Sequence, residues 1–140
     1  MATTASFAAT PNNNSQTLGT TAATRIDNSA DNMTTIFTAG SSGSKVEEID
    51  AESVTSGATG VAPATLAGLI YLFLHDGTNP RLFDTIPVTA VTATTTVAPW
   101  RASPKYYTNL WLKSGWTIRA SFSVAPTTGT LAVHVFGADL

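Results

Sequence analysis

The chain has 140 residues, seven Lys+Arg against nine Asp+Glu, a net charge of −2 and no cysteine. That length suits one domain. The weak negative charge excludes a nucleic-acid partner held by a basic patch, and the missing cysteines exclude a disulfide scaffold, a thiol nucleophile and a cysteine-based zinc site.

Residues 1–30 hold only three of the 31 Leu, Ile, Val and Phe residues, namely Phe7, Leu18 and Ile26. Such a segment buries too little apolar surface to fold alone. It reads as an extended N-terminal arm, either a loose tail or a strand laid on a partner through Phe7, Pro11, Leu18 and Ile26. The first 24 residues carry no charged side chain and no long apolar run, so no secretory signal is expected.

Residues 31–140 read as one β domain of short strands between turn signals. Met33–Thr38 is β-branched and aromatic, and Gly40 to Gly43 turn the chain. Lys45–Thr55 breaks a clean period of two, which suggests a bulged strand rather than a helix. Leu66–His75 is a continuous apolar run, too short to cross a bilayer and suited to a central strand buried on both faces. Asp76-Gly77-Thr78-Asn79-Pro80 is a turn. Arg81–Thr92 follows, and Pro87, which lacks an amide donor, predicts an edge or a kink. Thr94–Trp100, Tyr106–Leu112, Trp116–Ala125 and Leu131–Phe136 complete about eight strands. Turns about every ten residues predict an all-β fold, an antiparallel β-sandwich or jelly roll.

The chemistry-bearing residues are few. Asp76 and Asp84 bracket a turn, as a glycosidase pair would need to do across a cleft, but a turn acceptor and an ion-pair partner are the plainer roles. His75 and His134 stand at strand positions without a metal-ligand spacing. Glu47, Glu48, Asp50 and Glu52 lack a calcium-loop pattern and read as a solvated or partner-facing strand face. No catalytic residue, metal or cofactor is assigned. Among the aromatics, Trp116 sits on the apolar side of its strand. Trp100, Tyr106 and Tyr107, in the stretch APWRASPKYY, are candidates for a surface interface or a sugar-stacking platform, or for a flap over one open end of the fold.

The run from Val46 to Thr94, then LWLKSGWTIRASFSVA, then a closing strand ending GADL, sets strand and turn residues in a definite order: Leu74-x-Asp76-Gly77, Arg81-Leu82-Phe83-Asp84, and Leu112-x-x-Gly115-Trp116-Thr117-Ile118-Arg119. Over roughly residues 45–140 this resembles small virion proteins of tailed bacteriophages. The resemblance implies a non-enzymatic structural protein, foremost a head decoration (cement) protein on the capsid surface, made in the bacterial host cytoplasm. Its partners would be its own copies, as a trimer, and the major capsid protein. No nucleic acid and no membrane enter this expectation. The alternative is a carbohydrate- or receptor-binding β-sandwich module of a tail, neck or head fibre.

Overall fold

The computed structural model describes residues 10–26, 31–55 and 61–140. These contain ten strands and no helix: β1 (Thr10–Thr17), β2 (Thr34–Thr38), β3 (Ser44–Val54), β4 (Ala64–Thr65), β5 (Gly68–His75), β6 (Pro80–Val88), β7 (Val91–Thr92), β8 (Lys105–Leu112), β9 (Thr117–Phe122) and β10 (Thr130–Asp139). All pairing is antiparallel. One four-stranded sheet runs β1-β10-β3-β8, a second runs β2-β9-β5-β6, and β4 and β7 form a small pair.

The strand count corrects the expected eight. The stretch 94–100 is not a strand. There the Thr94 amide donates to the Val97 carbonyl at 3.0 Å, and the Thr94 hydroxyl accepts from the amides of Thr96 and Val97 at 3.2 and 3.0 Å. A local hydroxyl turn overrides the β-propensity of the Thr-Val run. Conversely, β4 was not expected, Arg81–Thr92 divides into β6 and β7, and β1 lies in the expected arm. The run Leu66–His75 yields β5 from Gly68, but it is not buried on both faces, since Leu66 and Leu69 are exposed. β5 is an inner strand and β6, with Pro87, an edge. β3 is irregular, with a register shift between Val46 and Glu48. Gly77 closes the β5–β6 turn at φ 96°, a conformation a side chain disfavours.

Both four-stranded sheets contribute to a single apolar cluster. Val46, Ile49, Leu112, Leu131, Val133 and Val135 come from the first, and Ile36, Phe37, Ile70, Leu72, Ile86, Ile118 and Phe122 from the second. Each such side chain contributes roughly 1.5–3 kcal/mol when fully buried.

The arm expectation needs correcting over part of its length. β1 pairs with β10 along its whole length, from Thr10↔Asp139 to Thr17↔Ala132, and Leu18 is only 4% exposed within the protein's own core. A strand of sequence TPNNNSQT can join without apolar residues because its asparagines reach the other sheet. Asn12 Nδ2 donates to the Thr38 carbonyl at 3.1 Å and Asn14 Nδ2 to the Ile36 carbonyl at 2.7 Å. A matching tie joins the opposite side. Asp84 of β6 accepts from Lys105 Nζ and the Tyr107 hydroxyl of β8, both at 2.7 Å. Hydrogen-bonded side chains therefore link an outer strand of one sheet to an outer strand of the other on both flanks.

Candidate functional site

Of the carboxylates singled out above, Asp76 serves its turn. Its Oδ1 accepts from the amides of Thr78 and Asn79 at 2.9 and 2.8 Å, and these donors hold the carboxyl below its usual range. Asp84 is half-buried between Lys105 and Tyr107. Burial raises its pKa, but the bonds from Lys105, Tyr107 and the Thr85 amide outweigh that and leave it lowered. Burial and the adjacent Asp84 push the Tyr107 phenol upward. Each carboxylate is thus engaged by its own partners, Asp76 by the turn amides and Asp84 by Lys105 and Tyr107 of β8.

The acidic run divides its work. Asp50 is buried and ion-paired to Arg101, with Nη2 at 2.5 Å and Nε at 3.1 Å from Oδ2. Glu47 meets Lys45 at 2.9 Å. Glu52 joins a bonded chain that sequence reasoning missed: Ser15 Oγ lies 2.8 Å from His134 Nδ1, and His134 Nε2 lies 3.0 Å from Glu52 Oε1. Hydroxyl, imidazole and carboxylate in that order form the relay of an acyl-transfer site. Here it runs across the outer face of three adjacent strands and pins β1 to β10 and β3. The partners stand 119 and 82 positions apart in sequence, so no local signal could have joined them. No group of three His, Asp or Glu side chains among the described residues is placed to hold a metal ion.

The expected partner-contact residues separate. Pro11 and Ile26 are exposed, whereas Leu18 is committed to the core. Phe7 lies outside the described residues. The aromatic trio likewise separates. Trp100 is 5% exposed and packs in the core cluster, so it presents no surface ring. It also walls a cavity of about 420 Å³ with Ile86, Pro87, Arg101, Pro104 and Lys105. Tyr107 is half-buried at the Asp84 tie, edge-on to Phe83 at 6.1 Å. Only Tyr106 stands in solvent as expected, joined there by Trp111 and Phe136.

A second surface lies at the end of the molecule where β3, β6 and β9 finish and β5 and β10 begin. Its main chain is knitted together. Ala64 donates to the Thr128 carbonyl and Ala93 to the Pro63 carbonyl, both at 3.0 Å, and Ser123 donates to the Leu69 carbonyl at 2.9 Å. Val61, Leu66, Leu69, Val97 and Val124 are exposed there. The contributing segments 61–70, 85–100 and 120–131 contain no Asp, Glu, Lys or Arg. Five exposed aliphatic side chains thus share a charge-poor end, bordered by residues 18–26 with Arg25 and by the Glu52–Arg101 bridge.

No protein-family model matches the chain, no curated protein is significantly similar to it, and no solved structure matches it.

Proposed function

We propose that this chain is a non-enzymatic structural protein of a tailed-bacteriophage particle, a decoration protein that binds the head shell as a homo-oligomer, most simply a trimer, and stabilises it. The reading takes the two main sheets as the layers of an antiparallel β-sandwich of jelly-roll type, with the major capsid protein as the larger partner. The observation that carries it is the charge-poor aliphatic end. Exposed aliphatic side chains in one patch mark protein contact surfaces, and interface centres are depleted of charge. The resemblance of residues 45–140 to small virion proteins points the same way. Many weak copies docked on equivalent lattice sites would reinforce a shell collectively.

The test is direct. Purified particles of the encoding phage should contain the chain in copy number matching a lattice position, and light scattering should give three times the 14.5 kDa chain mass. Absence from washed particles together with a monomeric mass would reject the proposal.

A further inference from the structure

The three exposed aromatic side chains among the described residues are Tyr106 (74%), Trp111 (52%) and Phe136 (42%). All three belong to the β1-β10-β3-β8 sheet. Phe136 is opposite Glu48, and Glu48 opposite Tyr106, in one cross-strand row. Ala138, Lys45 and Trp111 form another. Directly opposed residues share a face of the sheet. Val46, Ile49, Leu112, Val133 and Val135 fill the inner face, so both rows lie on the outer one. Lys45 Nζ stands 5.7 Å from the centre of the Trp111 ring and 2.9 Å from Glu47 Oε1, which orients the indole.

This surface differs in chemistry from the charge-poor end. Energetic centres of protein interfaces gather aromatic residues and Arg and are depleted of Lys and Glu. Here Glu48 stands between Phe136 and Tyr106, and Lys45 lies against Trp111. A sugar ring has the complementary layout: an apolar C–H face that stacks on an aromatic ring, and a rim of hydroxyls that bond well to carboxylate and ammonium groups. Phe136 and Tyr106 stand two strands apart, roughly 10 Å between Cα atoms, a span that separate units of one extended saccharide chain can bridge.

We propose that the outer face of the β1-β10-β3-β8 sheet binds an extended polysaccharide, with Tyr106, Trp111 and Phe136 as stacking platforms and Glu48 and Lys45 bonding its hydroxyls. This does not depend on the shell-binding reading, which uses the other surface.

The test is affinity electrophoresis of the full chain in gels containing soluble mixed-linkage β-glucan, xylan, galactomannan or the polysaccharide of a Gram-negative lipopolysaccharide. At least one should retard the chain. Trp111→Ala and Tyr106→Ala should each weaken that retardation tenfold or more, while Trp111→Phe retains most of it and Leu82→Ala, at an exposed position on β6 of the other sheet, leaves it unchanged. All sites are exposed, and unchanged thermal unfolding would confirm intact variants. No retardation in any gel overturns the proposal, as does retardation that survives the Trp111→Ala, Tyr106→Ala double substitution. Loss of particle binding or of oligomer mass in that double variant, without any sugar binding by the parent, would make the face a protein interface and overturn it too.

Discussion

Asp84 shows how one carboxylate can tie two sheets together. Its partners lie on β8, at the flank of the other sheet, and it is the acceptor for both the Lys105 ammonium and the Tyr107 hydroxyl. Replacing it by Ala leaves a half-buried donor pair without an acceptor, at a cost of about 2 kcal/mol. The pH dependence has a definite sign. The folded carboxyl lies below its ordinary value, so the unfolded chain binds more protons as acid is added. Its contribution is fully present above the unfolded pKa of about 4 and is lost as pH falls through the folded value. Thermal melts from pH 7 to pH 3 should therefore show a steeper acid loss for the native chain than for Asp84→Asn. Parallel curves would refute this role.

At the level of elements, β1 was the least legible part of the chain. Apolar periodicity is the main signal for a strand, and TPNNNSQT has none. What seats it is main-chain pairing to β10, Asn12 and Asn14 bonded to carbonyls of β2, and the Ser15–His134 bond. Leu18, one residue past its end, is the apolar anchor. Leu18→Ala should cost about 2–4 kcal/mol, and Asn14→Ala about 1 kcal/mol. Hydrogen exchange should show faster exchange of the β1–β10 amides in both variants. Equal protection in Leu18→Ala and the native chain would mean that β1 is held without it. A truncation through residue 24 would remove this anchor, so it would not leave the domain intact. By contrast, strands with apolar alternation or strong turns, β5, β6, β9 and β10, were readable because their spacing and their Gly and Pro residues act locally. Within the candidate sites, Tyr106 was found from its aromatic neighbourhood. Of the two readings of Trp100 its burial excludes the surface ring and leaves the flap, a choice a Pro-rich flank could not make, and Phe136 escaped notice because β10 alternates as well on its outer face as on its inner one.

At the scale of the molecule, two surfaces of unlike chemistry stand apart, a charge-poor aliphatic end and a face where rings alternate with charges. Placing a carboxylate at the first, by Leu66→Asp or Val97→Asp, should leave thermal unfolding within about 0.5 kcal/mol of the native chain, since both sites are exposed. It should also convert an oligomer to monomer in light scattering. An unchanged mass would show that copies meet elsewhere.

The charge-poor make-up of that end has a physical corollary. Ionic atmosphere acts on exposed formal charges and fades over about a nanometre, so a contact formed through Val61, Leu66, Leu69, Val97 and Val124 offers it little to weaken. Such a joint would hold from dilute buffer to brine. Its driving force is water's aversion to hydrocarbon, which declines on cooling, so refrigeration rather than salinity is the condition that loosens it.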